Sequence, residues 1–161
     1  MRTIDKYEAF GWTILHRLLP AGEVLVFKLK HDSQAANWHT IYTKGHATMP
    51  PCADRVPGMS SQESTFVQAG EYPMTAIEDT EWFCLDAKAN GGELPRTVNA
   101  LSIPRATSRE YPQGTRLFIG QGEFVAAGRN FTGPKALQAG SGPLIVHAMT
   151  DVYGYDLGIE D

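Results

Sequence analysis

The stretch FVQAGEYPMTAIEDTEWFCLD, residues 66–86, decides the fold. Gly70 and Pro73 punctuate a turn. Ala76-Ile77 and Trp82-Phe83-Cys84-Leu85 are short apolar strand material, separated by the acidic pair Glu78-Asp79. Seventy residues later the pattern returns without a gap as ALQAGSGPLIVHAMTDVYGYD, residues 136–156. Gln68, Ala69, Gly70, Pro73, Thr80 and Asp86 match Gln138, Ala139, Gly140, Pro143, Thr150 and Asp156. Met74, Glu81 and Phe83 line up with Leu144, Asp151 and Tyr153. Turn and strand residues that match together predict a duplicated β-unit.

Working outward, IYTKGHATM (residues 41–49) and FIGQGEFVA (residues 118–126) mirror one another around Gly45 and Gly122, each as a hairpin. Further strands are predicted over residues 10–15, 23–30, 38–44, 98–103, 116–119 and 123–126. In the second of these Leu25, Phe27 and Leu29 share one face, while Val24 and Val26 begin the other, so burial on both faces is expected at its start. Residues 1–8 read as a short helix or an irregular arm, and residues 105–114 as a polar connection. PPCADRVPGMSSQEST, residues 50–65, is the longest breaker-rich run and reads as a functional or interface loop, or else a solvated insertion. The Gly-rich residues 87–95 divide the chain into 1–90 and a shorter, repeat-related half, 91–161, packed against it. Sixteen Gly and ten Pro, spread through the chain, suit many turns between short strands. The expected fold class is all-β: a jelly-roll barrel or sandwich with an internally repeated second half.

At 161 residues the chain can bury a core without staples. Its net charge is −4 and its basic residues are scattered; Lys28, Lys30 and His31 form the densest run, too thin to bind nucleic acid. No run has signal-peptide or bilayer-spanning character, so no membrane role is expected. Two cysteines make no disulfide framework. Cys84 reads as a small hydrophobe, and Cys52 as a loop thiol that reacts only beside a cation.

These elements resemble the cupin superfamily. HTIYTKG, residues 39–45, is similar to the first conserved cupin strand, and QAGEYP followed by TAIEDTEWFCL to the second motif. AIEDTEW, residues 76–82, is similar to a run in small cupin-like structural proteins of tailed bacteriophages. The resemblance covers residues 15–86, and the second half joins it through the repeat. Catalytic cupins place a His-X-His and a Glu before the glycine and a His after the second turn, as metal ligands on the inner face. Here His31 and His39 form no His-X-His, Trp38 stands at the Glu position, and Pro73 or Met74 stands at the His position. His147 is alone on its strand.

Other chemistry is thin. Glu78 and Asp79 suit turn capping, Glu81 suits solvent, Gly120 to Gly122 a hairpin, and Ser60-Ser61 lacks a nucleophile's setting. The resemblance therefore implies a non-catalytic virion protein of a tailed phage, such as a capsid decoration, cement, neck or tail component. It would assemble in the host cytoplasm, without a cofactor, as a homo-oligomer (a trimer) docked on other virion proteins. Pro50, Pro51, Arg55, Val56, Pro57 and Met59 are the interface candidates. Two alternatives stay open. One is a metal-dependent cupin enzyme using His31, His39 and His46, with Cys52 or Glu71. The other is a small-ligand barrel lined by Trp38, His39, Tyr42 and Trp82.

Overall fold

The computed structural model describes residues 1–29, 40–60, 69–85 and 98–159. The described residues form sixteen β-strands and no helix. The chain divides into two compact units, Met1–Leu94 and Pro95–Asp161.

The first unit holds β1 (Arg2–Ala9), β2 (Trp12–Leu19), β3 (Val24–Leu29), β4 (Ile41–Lys44), β5 (Ala47–Met49), β6 (Cys52–Arg55), β7 (Gly70–Ala76) and β8 (Thr80–Leu85). Two four-stranded sheets result, ordered β1-β2-β8-β4 and β3-β7-β5-β6. Leu19, Tyr42 and Trp82 of one sheet meet Ala47, Met49, Met74 and Ala76 of the other in a single core. The second unit holds β9 (Asn99–Ile103), β10 (Ser108–Tyr111), β11 (Thr115–Gln121), β12 (Glu123–Ala126), β13 (Arg129–Thr132), β14 (Lys135–Gln138), β15 (Leu144–Ala148) and β16 (Val152–Ile159). Its sheets are β14-β11-β16-β9 and β10-β15-β12-β13. Leu101, Leu117, Ile119 and Val152 face Phe124, Ala126, Val146 and Ala148 across its core.

Set β1 aside, and the units have one strand order. The bridge from Ile41 to Ser60 stands where β11 pairs with β14. Each unit is a jelly roll of its own.

The duplication is real, but its register differs from the ungapped match. Gly45 lies against the backbone of Asp79 and Thr80, and Gly122 against that of Asp151 and Val152. The His46 carbonyl accepts the Ile77 and Glu78 N–H groups at 2.8 and 3.2 Å; the Glu123 carbonyl accepts those of Met149 and Thr150 at the same distances. Asp79 Oδ1 accepts the Ala21 N–H at 2.8 Å, and Asp151 Oδ1 accepts that of Arg105 at 2.8 Å. Asp79 therefore corresponds to Asp151, two residues beyond the partner that the ungapped match gives it. The hydrogen bonds that lock these two turns together set the register, and side-chain identities in a turn do not. The segments around Gly45 and Gly122 do correspond, Ile41 pairing with Phe83 and Phe118 with Tyr155, but neither is the expected hairpin: each glycine turn carries the chain from one sheet to the other, so β4 and β5, like β11 and β12, do not pair.

Several local expectations are corrected. Residues 1–8 are neither helix nor arm, because Phe10 and Gly11, at φ 51° and 84°, turn β1 back onto β2. Residues 50–65 are not one loop, since β6 pairs with β5. The polar residues 105–114 contain β10, held by β15. Val24 and Val26 are 54% and 44% exposed, because β3 is an edge strand whose second face is open.

Positive-φ positions also correspond. Gly22 has φ 85°, while the matching Ala106 is forced to 64°. Both positions donate a 2.8 Å hydrogen bond, to Ala76 and Ala148 respectively. Ala106→Gly should stabilise the protein by about 1 kcal/mol, and Gly22→Ala should destabilise it by a similar amount, in urea unfolding. Gly45→Ala and Gly122→Ala should each cost ~1–3 kcal/mol or more, because a Cβ there meets backbone that cannot turn aside.

Candidate functional site

The two interiors differ in chemistry. The second unit's core is aliphatic and aromatic, with the hydroxyl of Tyr111 as a buried polar atom. The first unit's interior carries a guanidinium. Arg55, at the end of β6, is 1% exposed. Its Nη1 reaches Met59 Sδ at 3.3 Å, and its guanidinium carbon stands 6.0 Å from the Tyr42 ring centroid. Its Nε has no hydrogen-bond partner among the described residues. No carboxylate pairs with it among the described residues. A buried, uncompensated cation costs several kcal/mol.

The internal repeat shows that the fold does not need this charge. Arg55 faces Ala47 across the β5–β6 pair. Ala47 corresponds to Phe124, since they pair with the corresponding residues Ala76 and Ala148. Phe124 in turn faces Phe131, which stacks on it at 5.5 Å. One jelly roll thus fills the position with a phenyl ring and the other with a guanidinium. The same exchange occurs on β2, where Arg17 pairs with Trp82 while Leu101 of β9 pairs with Gly154. Arg17 sends Nη1 to Met1 Sδ at 3.3 Å in an exposed contact, and its Nε is buried without a partner among the described residues.

Around Arg55 lie Tyr42, whose hydroxyl donates to Met74 Sδ at 3.7 Å, and Trp82, 5.9 Å from the Tyr42 ring. Met49, Met59, Cys52 and Cys84 complete a sulfur-rich wall. Burial pushes the Tyr42 phenol up to about 12, although the Arg55 charge pulls it back toward the ordinary range. Tyr42 is therefore a neutral donor at physiological pH.

The interface candidates split. Pro50, Pro51, Val56 and Pro57 are exposed, and Met59 is half-buried against the core. Arg55 is a correction: a bulge in the β5–β6 pairing, between Met49–Cys52 and Ala47–Arg55, brings it to the buried side that Cys52 also faces. Of the ligand-barrel residues, Tyr42 and Trp82 meet in the interior, while Trp38 and His39 lie outside the described residues. Of the metal candidates, His31 and His39 lie outside the described residues as well. His46 Nε2 stands 2.8 Å from Asp54 Oδ2 in a surface pair, and Glu71 pairs with Lys28 at 3.7 Å on the outside. No three His, Cys, Asp or Glu side chains converge among the described residues. A buried guanidinium also repels a metal cation, so the described residues do not fit a cupin metal. Glu81 is not a solvent carboxylate; it is half-buried, 3.0 Å from His16 and 3.4 Å from Lys44.

Sequence reasoning placed Arg55 on an interface loop, not in the interior, because Pro50 and Pro51 disguise β6 as a loop. Carrying the Gly45–Gly122 match past the turn, with one inserted residue, would have set Arg55 against Phe131.

No family model matches the chain, and no curated protein does either. Similar solved structures include a conserved protein of unknown function from Pseudomonas aeruginosa PAO1, 15% identical, covering 97% of this chain and 88% of that one, with TM-score 0.49. HutD from Pseudomonas fluorescens SBW25 is 13% identical over 99% and 88%, with TM-score 0.49. A cupin 2 conserved barrel domain protein from Leptotrichia buccalis is 10% identical over 96% and 88%, with TM-score 0.39. The strand order of each unit is that of a cupin-like jelly roll.

Replacing Arg55 by an apolar residue of similar length removes a buried charge that has no carboxylate partner among the described residues. Arg55→Met should therefore stabilise the ligand-free protein by ~1–4 kcal/mol in urea unfolding. The raised Tyr42 pKa acts at the alkaline end. Its contribution is intact below pH 10 and is lost as pH rises toward about 12, because the unfolded phenol ionises first. Tyr42→Phe should flatten that alkaline fall, read as unfolding free energy against pH.

Proposed function

We propose that the first unit is a binding barrel for a small organic anion, held in its interior by Arg55. The observation that carries this reading is a guanidinium at 1% exposure with no carboxylate beside it among the described residues. Such a charge is costly without a counter-ion, and the corresponding position of the second unit is a phenylalanine. The cation is a site for an acceptor-rich ligand, and binding replaces the missing hydrogen bonds. The protein acts by capture, with no metal step.

A second reading is favoured by the outer face of β3. Val24 and Val26 stand exposed on an edge strand, with exposed Pro73 opposite Val26. Such a face suits self-association, and the virion structural role, with docking through Pro50, Pro51, Val56 and Pro57, belongs with it. The two readings are compatible.

Thermal unfolding of the full chain should be followed with acetate, benzoate, succinate or inorganic phosphate at matched ionic strength. An anion at a hundred times its dissociation constant adds about 2.7 kcal/mol, which raises Tm by ~5–10 °C for this length. Arg55→Met should abolish the shift; an equal shift in the variant, or none in the wild type, overturns the anion reading. Light scattering decides the second: a trimer or larger ring that Val26→Lys breaks supports it, and a wild-type monomer overturns it.

A further inference from the structure

We infer that the ligand of the first unit is a monocarboxylate on an apolar body, with Arg55 as its charge partner and the Tyr42 phenol as a second donor. This rests on the anion-binding reading above and narrows it.

Charge sets the valence. Among the described residues Arg55 is the cation that lies fully inside, and Arg17 extends to an exposed contact where solvent shares its charge. A dianion would bring one negative charge more than the interior neutralises. Geometry sets the head group. Arg55 directs Nη1 at Met59 Sδ, a weak acceptor, and leaves Nε unpartnered. A planar carboxylate accepts along the Nε edge of a guanidinium with both oxygens, in the fork geometry that arginine favours.

The phenol then has a role. Tyr42 lies under the guanidinium and spends its hydroxyl hydrogen on a thioether at 3.7 Å, a poor acceptor for a buried donor. A carboxylate oxygen is a better one. Being neutral, the phenol donates without adding charge. The neighbouring core sets the body. Met49, Met74, Ala47 and Ala76 of the same cluster as Tyr42 supply apolar and polarizable surface rather than hydrogen-bond donors. A phosphate's remaining oxygens and a sugar's hydroxyls would lose their water there without replacement.

Calorimetric titration of the full-length protein tests this with benzoate, its neutral isostere benzamide, succinate and inorganic phosphate. Benzoate should bind one to one. Benzamide should bind at least about a hundredfold more weakly, a comparison that needs no variant. Arg55→Met should remove benzoate binding, and Tyr42→Phe should weaken it about tenfold. If succinate or phosphate binds as tightly as benzoate and depends on Arg55, the anion barrel stands and the monocarboxylate inference falls. If Tyr42→Phe leaves benzoate affinity unchanged, the phenol's role falls. If benzoate binds equally well to Arg55→Met, or if none of the three anions binds, both the inference and the reading beneath it fall.

Discussion

At Gly45 one backbone runs directly onto another, against the carbonyl of Asp79 and the Cα of Thr80, in a gap that admits no side chain. Gly122 makes the same approach to Asp151 and Val152. Each approach closes a corner of a jelly roll, where the turn that carries the chain from β4 or β11 into the other sheet meets the turn before β8 or β16. The carboxylate at that turn accepts a backbone N–H from the connection after β2 or β9. Three segments distant in sequence are thereby fixed at one point. Strand pairing propagates from it in both directions, and pairing decides which side chains face inward.

Two copies of one frame make an internal control. They share strand order, corner contacts and turn hydrogen bonds, so differences between their interiors are not imposed by the fold. The second unit fills its interior with Phe124, Phe131 and aliphatic residues and leaves little unpaired. The first places Arg55 under a dome of thioethers and aromatics. A packed aromatic in its place would strengthen the first unit, as Phe131 does in the second. Local rules that break in one copy and hold in the other mark the copy that carries a function.

Much of the scaffold was legible in the chain. Alternation marked β3, β9 and β11, the glycine turns marked the ends of β4 and β11, and the repeat predicted a duplicated β-unit; that those turns change sheet instead of closing hairpins was not visible. What stayed hidden had local causes. β1 ends at a Phe10-Gly11 turn that lacks the usual Asn or Asp, and β10 is polar on an edge. Two prolines precede β6, and a bulge interrupts its pairing with β5. The two-residue error in the repeat arose because turn side chains that match by type need not make the same hydrogen bonds.

By itself the sequence determined that the chain is all-β and that a unit is repeated. Alternation, turn residues and residue identity are local, and a linear reading captures them. Only the tertiary structure decided that Arg55 lies inside rather than on an interface loop, and that Phe131 is its counterpart. Burial is a property of what packs around a side chain. Here those neighbours, Tyr42, Met59, Met74 and Trp82, come from three strands and a loop that the sequence keeps far apart.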